Sequence, residues 1–171
     1  MREPRIVLIG MMGSGKSSVG RALSSRTGWP FVDNDALVEL ATGRTARQLL
    51  AEAGEEPMRA AESAALRTAL RIDPPVIVAA AAGAILEPDD REILREPFVA
   101  WLGAPAEVLA ARAVGAEHRP WLDDDPVGWF RRTSAARDPL YAAVADVTVD
   151  TSLTGPDAAA DAILAAASSD G

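Results

Sequence analysis

The sequence predicts an α/β fold, a parallel β-sheet with helices on both faces. Three observations carry that prediction. Short apolar, β-branched runs alternate with helical stretches along the whole chain. The first run, Arg5 to Gly10, is apolar at consecutive positions, as a strand buried on both faces must be. The chain has 171 residues and no stretch of linker composition, which fits a single domain over 1–171.

Local signals then place each element. Residues 16–28 carry Val19, Ala22 and Leu23 and stop at Gly28, a helix closed by glycine. Trp29 to Asp33 reads as a second strand. Residues 36–42 and 45–53 read as two short helices divided at Thr42-Gly43, and 55–72 as a longer one. After the Pro74-Pro75 break, Val76 to Ala80 is a third strand, Pro88 to Arg95 a short helix and Phe98 to Leu102 a fourth strand. Pro105 opens a helix at its first turn. Residues 113–124 show no period and read as a mobile loop. Residues 126–144 form a helix, Asp146 to Asp150 a fifth strand and 156–167 a closing helix, with Ser168 to Gly171 fraying.

Composition removes several function classes. There is no cysteine and only one histidine, His118, which excludes disulfides, thiolate nucleophiles and His-rich zinc sites. Acids outnumber bases 25 to 17, a poor balance for gripping nucleic-acid phosphates. The longest apolar run, Val76 to Leu86, falls short of the roughly 20 residues that span a bilayer. No small-residue cleavage pattern follows the apolar segment 6–12, so a cytoplasmic location is expected. Sixteen of the 17 basic residues are arginine, and the sole lysine is Lys16. Where arginine is otherwise the rule, a lone lysine marks a position that needs a compact ammonium on a flexible stem.

That lysine sits in Gly10-Met11-Met12-Gly13-Ser14-Gly15-Lys16-Ser17, which fits G-x-x-x-x-G-K-[ST] between a strand and a helix. Glycines let the backbone wrap a phosphate, and the helix N-terminus adds positive dipole. Lys16 reaches the β- and γ-phosphates, and the Ser17 hydroxyl holds magnesium. Asp33-Asn34-Asp35 ends the second strand. Residues two apart on a strand face one side, so one carboxylate can orient magnesium-bound water while the other accepts a hydroxyl proton. A strand-to-helix turn capped by Asp35 is the competing reading. Arg59 and Glu62 share a helix face, a carboxylate placed to hold a guanidinium for an anionic ligand. His118-Arg119-Pro120 puts an arginine on the loop, where it can close over phosphates, and Asp123 to Asp125 read as a helix-starting acidic run. Arg137-Asp138-Pro139-Leu140-Tyr141 reads as a proline-bent helix presenting an arginine to a carboxylate.

In this order the pieces resemble the shikimate kinase family of P-loop small-molecule kinases, from Arg5 to about Leu164. Besides the phosphate loop and Asp33-x-Asp35, the resemblance rests on Thr42-Gly43-Arg44, on Gly54 to Glu62, on Arg119-Pro120, on Arg137 to Tyr141 and on Val149-Asp150-Thr151. It implies a P-loop NTPase three-layer sandwich, a five-stranded parallel sheet of order 2-3-1-4-5 with a mobile lid at about 113–124. It also implies these roles. The backbone from Gly13 through Ser14, Gly15, Lys16 and Ser17 to Ser18 takes ATP phosphates, and Arg112 lies against the adenine. Ser17 and Asp33 serve Mg2+. Asp35 is the base. Arg59 and Arg137 bind the acceptor's carboxylate, with Ala82 and Gly83 on the pocket floor, and Arg119 closes from the lid.

Three departures bear on the acceptor. The family's Gly-Gly-Gly after the third strand is Ala81-Ala82-Gly83 here, its phenylalanine before the helix arginine is Met58, and Ser152-Leu153-Thr154 stands where an arginine often covers the adenine. Alanine at a position needing positive φ costs about 1 kcal/mol or more. The expected activity is ATP-dependent phosphorylation of shikimate to shikimate 3-phosphate, a step of aromatic amino-acid biosynthesis, by a monomer with neither nucleic-acid nor membrane partner. Two rivals stay open: a diverged kinase of another cyclic polyhydroxy acid or cyclitol, and a nucleotide-binding relative without catalysis.

Overall fold

The computed structural model describes residues 3–113 and 124–170. Five parallel strands lie in the order β2-β3-β1-β4-β5. They are β1 (Arg5–Ile9), β2 (Phe31–Asp33), β3 (Val76–Ala79), β4 (Phe98–Gly103) and β5 (Val147–Asp150). The helices are α1 (Lys16–Thr27), α2 (Asn34–Thr42), α3 (Ala46–Ala53), α4 (Glu55–Leu70), α5 (Pro88–Ile93), α6 (Ala106–Ala113), α7 (Pro126–Val144) and α8 (Pro156–Ser169). The implied strand order is the observed one.

The alternation of a strand's side chains explains the apolar run of β1. Val7 and Ile9 join one core with Leu66 of α4, Leu109 of α6 and Phe130 of α7. Ile6 and Leu8 join the other with Val19 and Leu23 of α1 and Ile163 of α8. Each of those residues is essentially removed from water, and burying one such side chain stabilises the fold by about 1.5–3 kcal/mol. Both central neighbours of β1 come from far down the chain: Arg5 pairs with Val76 of β3 and Ile6 with Phe98 of β4.

Helix ends follow the predicted punctuation. Gly28 and Gly43 terminate α1 and α2 in the left-handed conformation. Thr45 and Gln48 form a reciprocal capping box on α3. Asp125 caps α7 by accepting from the Gly128 N–H at 2.9 Å.

Several boundaries differ. The second strand starts at Phe31, and α2 starts at Asn34 because Asp33 caps it, accepting from the Asp35 N–H at 3.1 Å. Asp35 therefore stands in the first turn of a helix, not on the strand, and Asp33 rather than Asp35 is the cap. A turn of 3-10 helix, Ala84–Leu86, precedes α5 and was not foreseen. Helix α7 runs as one element through Pro139, so the proline does not interrupt it. Ala113 belongs to α6, and the rest of the predicted lid, with His118 and Arg119, lies outside the described residues apart from Asp124. Among the described residues, no helix is long and apolar enough to cross a membrane.

Candidate active site

The carboxyl ends of β1, β2 and β3 open into one cleft of about 970 Å³, where ligands sit in open α/β sheets. Its first wall is the loop between β1 and α1. Gly10 leaves the strand at φ 144°, and a Cβ there would lie 2.4 Å from the Leu102 carbonyl oxygen, so only glycine lets the loop pass β4 this closely. Gly15 takes the left-handed position that starts α1, with no side chain capping the helix. The N-terminus of α1 carries the positive end of the helix dipole, which suits an anion. Lys16 curls back across the loop, its Nζ donating to the carbonyls of Gly10 (2.8 Å) and Met11 (3.0 Å). Gly13, Gly15, Lys16, Ser17 and Ser18 line the cleft. Ser14 does not: its side chain is buried and its N–H is taken by the Met11 carbonyl at 3.1 Å. Its N–H closes the loop and its side chain is not part of the cleft lining.

From outside, the loop is clasped by two residues. Arg112 of α6 donates to the Gly13 carbonyl (2.9 Å), the Thr151 Oγ1 (3.1 Å) and the Thr151 carbonyl (2.8 Å). Thr151 Oγ1 in turn donates to the Ser14 carbonyl at 2.7 Å. Both loop carbonyls are thereby held outward. The sequence reading gave Arg112 a place beside the base; the structure adds that it is joined to the loop, and it gives Thr151, the last residue of Val149-Asp150-Thr151, a part that the motif alone did not specify.

Ser17 Oγ donates to Asp33 Oδ2 at 2.7 Å. These are two hard oxygen donors beside the phosphate loop, and magnesium that keeps water and phosphate in most of its coordination sphere needs little more from a protein. Among the described residues no group of three or more His, Cys, Asp or Glu could hold a metal. The pair therefore fits an ion shared with a phosphate and does not form an all-protein cage.

The opposite wall carries Asp35 from α2, Arg59 and Glu62 from α4, and Arg137 from α7. The structure corrects one pairing: Arg59 forms its ion pair with Glu55, one turn back, and not with Glu62. Glu62 instead faces Asp35, Arg59, Arg137 and Lys16. Burial first, and then the Asp35 charge, push its carboxyl up from 4.5 to about 7, against the pull of the three cations. Helix α4 is fastened on its far side, where Ser63 and Arg67 donate to the fully buried Asp90 carboxylate.

The floor is Ala79 to Gly83. The Ala84 N–H donates to the Ala81 carbonyl at 3.1 Å, closing a turn around Ala82 and Gly83. Gly83 sits at φ −86°, ψ −2°, values open to any residue, and a Cβ on it would lie 3.7 Å from the Glu62 Oε2. The turn thus makes no demand for a positive φ at Gly83. The Ala82 carbonyl accepts from the buried Tyr141 hydroxyl at 2.6 Å. Trp129 and Thr133 also line the cleft. With Arg137 they are spaced by four on one helix, a stripe visible in the sequence but not used there.

A phosphate loop facing a cleft lined by guanidinium and carboxylate groups defines a P-loop phosphotransferase for small molecules. The family model for shikimate kinase matches residues 12–168. A shikimate kinase of Symbiobacterium thermophilum is 47% identical over 150 residues, covering 85% of this chain and 86% of its own. The solved structure of the Acinetobacter baumannii shikimate kinase in complex with shikimate superposes with a TM-score of 0.91 at 33% identity, covering 98% of this chain and 94% of that one. A gluconokinase from Sinorhizobium meliloti, at 27% identity, 99% coverage of this chain and 94% of its own, superposes with a TM-score of only 0.61. The chain belongs to the shikimate kinase family, phosphotransferases that act on a hydroxyl group with ATP as the phosphate donor.

Proposed function

We propose that this chain transfers the γ-phosphoryl group of ATP to a hydroxyl of shikimate. One observation carries the reading: a single cleft holds the phosphate loop with Lys16, the Asp35 carboxylate, and two guanidinium groups, Arg59 and Arg137, on the acceptor side. The two arginines bind the acceptor's carboxylate. Asp35 takes the hydroxyl proton as the acceptor oxygen bonds to the γ-phosphorus and the bond to the ADP oxygen breaks. Lys16 neutralises charge on the phosphate oxygens, and Arg119 closes over them from the lid. Ser17 and Asp33 would hold magnesium, which would supply charge neutralisation at the phosphates. Arg112 takes the adenine, and Ala82 and Gly83 meet the acceptor from below. The protein acts as a cytoplasmic monomer.

The test is a coupled ADP-release assay with shikimate, quinate, aminoshikimate, gluconate and cyclitols. Turnover highest on shikimate is expected. Turnover highest on another polyol would show that the alanine floor serves a different acceptor. ATP binding with no turnover on any of them would make the chain a non-catalytic relative.

A further inference from the structure

We infer that Tyr141 is a positioning residue for the acceptor site. Its hydroxyl ties the floor turn at Ala82-Gly83 to the helix bearing Arg137, and so fixes the separation between the groups that meet the acceptor's hydroxyl and its carboxylate. The inference rests on the proposed function and deepens it.

Tyr141 is fully buried and lies one turn beyond Arg137 on α7. Its hydroxyl donates to the Ala82 carbonyl at 2.6 Å, a contact that spans from the late helix to the end of β3. Its ring stacks on Trp101 of β4, centroids 5.7 Å apart and planes 24° from parallel, so the phenol has little freedom to follow a moving floor. The Arg137 guanidinium faces the same hydroxyl and also reaches the Met11 sulfur at 4.0 Å. Burial pushes the phenol well above its usual value, so it stays a donor throughout the working pH range.

What this bond holds is the presentation of two amides. The Ala81 carbonyl is taken by the Ala84 N–H, and the Ala82 carbonyl by Tyr141. The amides of Ala82 and Gly83 donate to no protein group among the described residues, and both residues line the cleft. They are therefore available to an acceptor oxygen. Without the phenol oxygen, the Ala82 carbonyl would lose its partner, and the peptide plane that carries the Gly83 amide would be free to turn. Only the hydroxyl is needed for this role, whereas the ring alone serves packing.

The parent and Tyr141→Phe are compared by steady-state kinetics with shikimate and ATP. The expected result is a KM for shikimate raised on the order of tenfold in Y141F, with the KM for ATP within about twofold, since one hydrogen bond is lost at the acceptor end only. A lowered melting temperature with unchanged KM for shikimate would reduce Tyr141 to packing and overturn the inference. So would a parallel rise in both KM values. Tyr141 is the only tyrosine in the chain, so biosynthetic 3-fluorotyrosine places a single fluorine reporter at this site even if Y141F does not fold. Its resonance should move on titration with shikimate and stay put with ADP; the reverse pattern, or no response to either, refutes the positioning role. Failure of the proposed function is read separately, as absent ADP release by the parent with shikimate. The label is then titrated with whichever acceptor of the panel is turned over.

Discussion

Ser17 Oγ donates to Asp33 Oδ2 at 2.7 Å, so the first turn of α1 and the cap of α2 are joined by one hydrogen bond. Asp33 spends its other oxygen, Oδ1, on the Asp35 N–H. One carboxylate therefore caps a helix and completes the oxygen pair beside the phosphate loop. The two duties can be separated. Asp33→Ala should lower stability by about 1 kcal/mol through loss of the cap and also abolish most activity. Asp33→Ser should restore the cap and the melting temperature while activity stays low. Full activity in the serine variant would remove Asp33 from the phosphate end.

Lys16→Met should abolish phosphoryl transfer and leave the fold intact, because no other lysine exists to take its place. Circular dichroism checks the fold and single-turnover kinetics the chemistry. A folded variant with near-normal kcat would disprove the role of the loop.

Arg59→Ala and Arg137→Ala should each raise the KM for the acceptor and spare ATP affinity, each removing a charge-assisted contact worth about 1.5–3 kcal/mol. Arg59 has the further partner Glu55, an exposed pair of small value, so Glu55→Gln should change the acceptor KM much less than R59A. Selective loss of ATP binding in both arginine variants would put the acceptor elsewhere.

Glu62 should make the protein pH-sensitive. Its carboxyl is shifted up from 4.5 to about 7, so between those values the folded chain keeps a proton that the unfolded chain has released. Stability from this group falls as pH rises through that window, and the full cost of the charge is present above it. An anionic acceptor arriving beside Arg59 and Arg137 favours the protonated form further, so its KM should climb from pH 6 to 8. Glu62→Gln should flatten both profiles. Unaltered slopes in that variant would count against the assignment.

Two glycines should respond oppositely to a methyl. Gly10→Ala drives a Cβ to 2.4 Å from the Leu102 carbonyl at φ 144°, and a loss of more than about 2 kcal/mol is expected. Gly83→Ala meets only ordinary contacts, the Glu62 Oε2 at 3.7 Å being nearest. Its melting temperature should hold while the acceptor KM rises. A destabilised G83A would show that the floor turn is tighter than drawn.

The fold was readable because its signals are local or periodic. Gly28 and Gly43 stop helices, and the β1 run is apolar on both faces because helices cover both. The phosphate end was readable for the same reason, since Gly10 to Ser17 is one contiguous loop. The acceptor end was less so, because its geometry comes from distant contacts. Arg59 had Glu55 at one turn back and Glu62 at three residues on, and sequence spacing alone does not choose between them. The cap at Asp33 and the helical placement of Asp35 depend on where the strand stops. The bonds from Tyr141 to Ala82 and from Thr151 to Ser14 join residues 59 and 137 positions apart in the chain. The strain expected at Ala81 and Ala82 was read from the glycines that the similar family carries there, and residue type alone does not fix a backbone angle.

The register of β1 has a consequence for synthesis. Arg5 must wait for Val76, and Ile6 for Phe98, before the strand has neighbours on both edges. A nascent chain halted before β4 carries an apolar strand with one edge open to pairing with other chains. Gly10 lies against the Leu102 carbonyl and Gly13 against Arg112. The phosphate loop is thus made well before the segments that hold it, and it gains its lasting shape only once α6 and Thr151 have followed.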